Sequence, residues 1–198
     1  MATDIAESVL GECALYGRHA GTGAVTGQIA DARRLPYEDR EFPFIYSVSA
    51  IEHIGDDGDM QAMAELGRVL APGGTAVVTV PVAPRADIVW HDTDIYGHQT
   101  RGVDGRVFFS RRYDGDTLHE RLVIPSGLSL AGLRLWRERR HGWEEAYFLR
   151  TRRTKAVSTV LTKLLDPWWA KTRIEEVAVP DREAVAHGVT AMVLTKPG

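Results

Sequence analysis

The stretch GTAVVTVPV (74–82) is apolar at nearly every position and rich in β-branched residues. That is the pattern of a strand covered on both faces. Directly ahead of it, DMQAMAELGRVLAPGG (59–74) sets Met60, Met63, Leu66, Val69 and Leu70 at helical spacing. Asp59 is expected to cap this helix, and Pro72, Gly73 and Gly74 to stop it. FPFIYSVSAI (42–51) reads as a second buried strand, ending near Glu52 and His53. Strand, helix and strand with short connections form a βαβ unit, which implies a parallel pair and a right-handed crossover.

The alternation continues downstream. DGDTLHERLVIPSG (114–127) places Leu118, Leu122 and Val123 on one helical face, and LSLAGLRLWRER (128–139) alternates as a strand through Leu130, Leu133 and Leu135. TKAVSTVLTKLLD (154–166) is an amphipathic helix ending before Pro167, and GVTAMVLTKP (188–197) is a last β-branched strand. Elements in this order predict an α/β fold with a doubly wound, mostly parallel sheet. Antiparallel pairing of the last two strands as a closing hairpin is compatible with it. Residues 83–113 lack regular patterning and are too long for a neutral connector, so they are read as a substrate loop. Residues 140–187 are read as a partly helical insertion before the last strand, within one domain spanning 1–198.

Composition narrows the class. With 198 residues, 44% of them hydrophobic, the chain suits one domain with its own core. The single cysteine, Cys13, excludes an internal disulfide and fits a reducing, cytoplasmic setting. No apolar run is long enough to span a bilayer. A net charge of −3 argues against a general nucleic-acid binder. The arginine- and aromatic-rich stretch 134–155 is diluted by Glu138, Glu144 and Glu145 and reads as a solvated face or an arginine cradle for a phosphorylated substrate. Trp168 and Trp169 are expected to cover the sheet.

Three stretches carry candidate chemistry: DARRLPYEDREF (31–42), SVSAIEHI (47–54) and MAELGRVLAPGGTAVVTVP (63–81). In this order and spacing they resemble the class I S-adenosylmethionine-dependent methyltransferases, a Rossmann-like fold. YDGDTLHERL and the closing GVTAMVLTKP are similar to that family's last elements. The resemblance implies that Asp31 and Ala32 lie beside the adenine of S-adenosylmethionine. It implies that Ser49, Ala50 and Ile51 face the methionine end of the cofactor. An acid can accept a hydrogen bond from the adenine amino group, and a small neighbour leaves room for a flat ring. In an open α/β sheet, ligands bind outside the carboxyl ends of the strands, where these residues are expected.

The family's first strand ordinarily ends in a glycine-rich loop, and its second in an acid that holds the ribose. SVLGEC (8–13) resembles an eroded first strand and GAVTG (23–27) the second, with only nine residues between Cys13 and Gly23. Two parallel strands need a crossover of roughly a dozen residues or more. The N-terminal βαβ unit is therefore expected to be incomplete, with the glycine loop and the ribose acid missing or rebuilt.

For catalysis the candidates are His53, His91 and His98, since imidazole titrates near neutrality and these residues lie in or next to the presumed site. Glu52, Tyr96 and Arg111 are the candidate substrate-facing residues. HDTDIYGH (91–98) matches no standard zinc spacing, so no metal is expected. The function implied is methyl transfer from S-adenosylmethionine to a small-molecule acceptor. The alternative is a methyltransferase-like chain without cofactor binding, acting as a binding or partner subunit, or a truncated fragment. The expected partners are a small-molecule substrate and either a second copy or a completing chain, with no nucleic acid and no integral membrane segment.

Overall fold

A computed structural model of the protein describes residues 2–4, 10, 25–94, 100–102, 104–139, 174–177 and 188–198. The strands are β1 (Ala2–Asp4), β2 (Gly27–Ile29), β3 (Phe42–Val48), β4 (Leu70–Val82), β5 (Asp87–His91), β6 (Val107–Arg112), β7 (Ser129–Glu138), β8 (Ile174–Val177) and β9 (Gly188–Thr195). Helix α1 is Gly58–Val69, and a 3₁₀ turn covers Ile51–His53. Helix α2 (115–126) consists of π-helical His119–Val123 between the α-helical turns Gly115–Leu118 and Ile124–Ser126.

Five strands form the main sheet in the order β3-β4-β9-β7-β8. β3 pairs parallel with β4, from Phe44 opposite Thr75 to Val48 opposite Thr79. β9 runs antiparallel to both β4 and β7, and β8 closes the far edge antiparallel to β7. The fold is α/β. Its parallel pairs are β1–β2 and β3–β4, and its C-terminal half is antiparallel, including the closing pair β7–β9.

One face of β4 supplies the centre of the core. Ala76, Val78 and Val80 are fully buried, as the alternation of a strand requires. Met63 and Leu66 of α1, Leu122 of α2, Leu135 of β7 and Met192 and Leu194 of β9 pack into the same cluster. Each such side chain contributes about 1.5–3 kcal/mol on burial. The two helices touch at Gly67, where an added Cβ would lie 1.9 Å from the Ser126 carbonyl oxygen, so only glycine allows this approach. Helix α2 ends at Gly127 with φ of 64°, a left-handed cap.

The βαβ reading of 42–82 holds, with corrections at its ends. The helix stops at Val69, and Pro72, Gly73 and Gly74 lie inside β4 rather than in a turn before it. The N-cap is Asp57, while Asp59 is wholly buried and serves the core. β3 is not a strand buried on both faces, because Phe44, Tyr46 and Val48 are more than half exposed.

The N-terminus also departs from expectation. The parallel pair described there is Ala2 to Asp4 against Gly27 to Ile29. Of the expected strands 8–13 and 23–27, residues 8, 9, 11–13, 23 and 24 lie outside the described residues. Residues 5–26 lie between the two strands, ample for a crossover. Among the described residues β1 pairs only with β2, and β3 only with β4, so the two parallel pairs are not hydrogen-bonded to each other. Residues 83–113 contain the hairpin β5–β6 rather than loop alone. The expected helix at 154–166, Cys13, Trp168 and Trp169 lie outside the described residues. Among the described residues no helix is long and apolar enough to cross a membrane.

Candidate functional site

β1 ends at Asp4, whose carbonyl accepts a hydrogen bond from the Ala30 amide at 3.0 Å, just past the end of β2. Asp31 follows at once. Its carboxylate accepts the Arg33 amide at 2.9 Å, an Asx-type turn, and is clasped by the Arg33 guanidinium at 2.7–3.0 Å. These bonds raise the Arg33 pKa, the Asp31 hydrogen bond being the main cause. Ala32 packs against the edge of the core.

Two residues of α1 hold the rest of the DARRLPYED loop. Glu65 accepts the Leu35 amide at 2.8 Å. Arg68 donates to the carbonyls of Leu35 and Tyr37 at 3.0 and 2.8 Å and to Asp39 at 2.8 Å. Glu65 and Arg68 also pair with each other at 2.8 Å, and that hydrogen bond is the main reason the Glu65 carboxyl lies below its ordinary range. The loop is thus fixed on a rigid helix one turn before its end.

β3 ends at Val48, and Ser49 turns the chain with a φ of 47°, unusual for a side-chain-bearing residue. Its amide is held by the carbonyl and hydroxyl oxygens of Thr79, each at 3.1 Å. The 3₁₀ turn then buries Ile51 and Glu52, both 3% exposed or less. His53 emerges beside β6. Its Nδ1 lies 2.7 Å from the Phe109 carbonyl oxygen, which can only accept, so Nδ1 is the donor of that bond.

Phe109 is the extra residue of a β-bulge between β5 and β6. Bulges re-aim side chains and recur beside active sites. The Phe109 ring receives His53 edge-on at 4.9 Å and His91 stacked at 4.1 Å. Two of the three expected histidines are therefore gathered on one ring. His98 and Tyr96 lie outside the described residues.

Glu52 is the most perturbed acid of the site. Burial pushes it up to about 7, against a weaker pull from a Ser49 hydrogen bond. Its Oε1 is 3.8 Å from Nε2 of His53, and its Oε2 has no hydrogen-bond partner among the described residues. Arg111 donates to the Asp56 carbonyl at 2.8 Å and approaches buried Asp59 at 3.2 Å. It also borders a small cavity of about 90 Å³ lined by Asp56, Ile88, Trp90, Thr100 and Phe108. Among the described residues no group of three metal-ligating side chains comes together.

Asp4 was missed in the sequence because a three-residue strand has no period to detect. The signal available was its acid, set far enough ahead of Gly27 for a complete crossover. Phe109 was hidden by the bulge, which breaks the alternation of its strand.

Residues 1–78 match the family model for a methyltransferase domain. A candidate methyltransferase from Bacillus halodurans C-125 superimposes with a TM-score of 0.58 at 19% identity, covering all of this chain and 82% of its own. The [4+2]-cyclase SpnF gives 0.55 at 18% identity, over 98% of this chain and 65% of its own. Phosphoethanolamine N-methyltransferase 2 from Haemonchus contortus, solved with S-adenosyl-L-methionine, gives 0.52 at 17% identity, over 99% of this chain and 43% of its own. The chain thus spans less than two thirds of the length of the last two. The shared fold is the Rossmann-like α/β fold of the class I methyltransferases.

Proposed function

We propose that this chain is a class I S-adenosylmethionine-dependent methyltransferase, binding S-adenosylmethionine and transferring its methyl group to a small-molecule acceptor; the match of residues 1–78 to a methyltransferase domain supports this reading. The carrying observation is the pair of acids, Asp4 and Asp31, at the ends of adjacent parallel strands. Fold alone carries less weight, since the same fold serves the [4+2]-cyclase SpnF.

The residues present fit the cofactor. Asp4 is the candidate ribose acid, the role the family gives to the acid ending its second strand. Asp31 and Ala32 are the candidate adenine neighbours, on a turn tied to α1 by Glu65 and Arg68. Ser49, Ala50 and Ile51 take the methionine end, where the positive φ of Ser49 turns the backbone at the strand end. Bound S-adenosylmethionine supplies an electrophilic methyl on a sulfonium and leaves as the thioether. The protein's part is to align the acceptor and to take its proton. His53, held through Nδ1 by the Phe109 carbonyl, is the candidate base. His91 shares the Phe109 ring, and Arg111 borders the adjacent cavity as a substrate-facing residue.

Calorimetric titration of the whole chain with S-adenosylmethionine tests this reading. Saturable binding is expected. Asp31→Ala and Asp4→Asn should each weaken it by roughly ten- to a hundredfold, the worth of one hydrogen bond to a charged group. Absence of heat from a folded protein would overturn it.

The second reading is a methyltransferase-like subunit that works with another chain or a second copy. It is favoured by the unpaired outer edges of β1 and β3 among the described residues and by the exposure of Phe44, Tyr46 and Val48 on β3. Such edges invite strand pairing. Light scattering showing a stable dimer, together with silent calorimetry, would favour this reading.

A further inference from the structure

The hairpin β5–β6 has a second face, opposite the one on which His91 stacks against Phe109. Its register pairs Ile88 with Arg111, Val89 with Ser110 and Trp90 with Phe108, and Phe109 is the extra residue. In an unbroken strand Phe108 and Arg111, three positions apart, would point to opposite faces. The bulge brings them onto one, across from Trp90 and Ile88. These four side chains, with Thr100 and Asp56, line the cavity of about 90 Å³. That is roughly the share of three water molecules, room for a three-atom head group and the carbon that bears it but not for an aromatic ring.

The lining is rich in donors. Arg111 uses Nη2 on the Asp56 carbonyl at 2.8 Å, and its Nε lies 3.2 Å from the Asp59 carboxylate without an aligned hydrogen bond. Its Nη1 makes no hydrogen bond among the described residues, and neither does the Thr100 hydroxyl or the Trp90 indole N–H. The guanidinium is steadied over the Phe108 ring, 5.9 Å from its centroid. Charge points the same way. Arg111 and Arg121, both largely buried, share the single wholly buried carboxylate of Asp59. Glu52, the other buried acid nearby, holds its proton up to about pH 7. Asp57, 74% exposed, pairs with Arg121. The Asp56 carboxylate is exposed and acts on Arg33, whose pKa is raised mainly by Asp31 and in small part by Asp56. Solvent screens both of these surface acids, so one buried cation is left in excess.

We propose that this cavity is a carboxylate subsite, in which Arg111, with Thr100 and Trp90 as further donors, takes the carboxylate of the acceptor, so that the substrates are small carboxylic acids. Assigning the group to the acceptor rests on the methyl-transfer reading above; the anion site itself does not. A planar guanidinium matches a planar carboxylate, and Ile88 and the Trp90 and Phe108 rings suit the carbon stem. A phosphate is better served by several cations or a nest of backbone amides, and the cavity presents one guanidinium. An ammonium group would be repelled by Arg111. Asp56 lies three residues past His53, and Arg111 two past Phe109, whose carbonyl holds His53. A group anchored here is therefore held by the same two segments that carry the candidate base.

The test is an NMR titration of the whole protein with propionate at constant ionic strength, read on the Trp90 indole N–H, which Trp90→Phe assigns among the five tryptophans. Saturable shifts with a Kd on the order of 1 mM are expected for a ligand of this size. Propionamide, the same shape without the charge, should bind roughly tenfold more weakly, and so should propionate to Arg111→Met. Thr100→Val keeps the side chain's shape and removes its hydroxyl; it should weaken propionate about three- to tenfold, and it carries the test if Arg111→Met fails to fold. No shift at Trp90, or equal binding of acid and amide, would overturn the proposal. Inorganic phosphate binding more tightly than propionate would also overturn it, in favour of a tetrahedral anion. With S-adenosylmethionine present, replacing an acceptor's carboxylate by an amide should lower kcat/KM roughly tenfold, and equal rates would overturn the assignment to the acceptor. Calorimetry on the same sample separates the two readings. Silence toward S-adenosylmethionine with propionate bound would end the methyl-transfer reading and leave the carboxylate site standing, whereas cofactor binding without propionate binding would end this proposal alone.

Discussion

Asp59, in the first turn of α1, holds the guanidinium of Arg121 from α2 in a two-pronged ion pair at 2.7 and 2.9 Å, with the aspartate wholly buried. The pair joins the two helices where they meet β6. Arg121 also donates to the Asp56 carbonyl and to Asp57, each at 3.0 Å, so it ties down the turn that follows His53. The Asp59 hydrogen bond is the main reason the Arg121 pKa is raised. Breaking one side of a buried pair is more damaging than never having had it, because a charge is left without compensation.

Asp59→Leu is accordingly expected to lower stability by about 3–5 kcal/mol, since Arg121 and Arg111 both lose their buried counter-charge. Urea unfolding followed by fluorescence measures it. A loss below about 1 kcal/mol would mean that solvent reaches this cluster and screens it.

Glu52 predicts the sign of a pH dependence. Its folded pKa is raised from 4.5 to about 7, so between those values the folded protein keeps a proton that the unfolded chain has released. Stability contributed by the neutral acid is fully present below about pH 4.5 and is lost as pH rises through about 7. The whole effect is roughly 3 kcal/mol. Glu52→Gln should remove this slope and be the more stable protein above pH 7, the reverse of what loss of a paired acid does. Thermal midpoints of both proteins at pH 5, 6, 7 and 8 decide the matter, and parallel curves would show that the carboxyl is not desolvated as described.

How much of this was legible in the chain follows from what each signal can encode. Met63 and Leu66 at helical spacing before a β-branched run located α1 and β4, because burial and period coincide there. DARRLP and IEHI marked the ends of strands, and Asp31 and His53 do stand at such ends. Exposure of Phe44, Tyr46 and Val48 was not legible, since an apolar run says nothing about what covers it. Nor was the role of Asp59. An acid at a helix start reads as a cap, and only the arrival of Arg111, Tyr113 and Arg121 from distant elements turns it into a core anchor. The meeting of His53 and His91 depends on the bulge at Phe109, a property of pairing and not of either strand alone.

The last described segment offers a test of how the far end of the chain supports the site. After β9, Lys196 turns its ammonium onto the end of α1, donating to the carbonyls of Gly67 and Leu70 at 2.7 and 2.8 Å, with Arg68 at 3.3 Å. Carbonyls at a helix end lack intrahelical donors and carry the negative pole of the helix dipole, so a cation here satisfies both needs. The same turn of α1 bears Arg68, which grips the carbonyls of Leu35 and Tyr37 in the loop that follows Asp31. Lys196→Met keeps the length and apolar stem of the side chain while removing its donors. It is expected to cost about 2 kcal/mol, the scale of hydrogen bonds to a charged group. Because α1 anchors that loop, the variant should also speed amide hydrogen exchange at Leu35, whose N–H is held by Glu65. Urea unfolding gives the first quantity and exchange mass spectrometry the second. Lost stability with unchanged exchange at 35–39 would separate the helix end from the loop it carries.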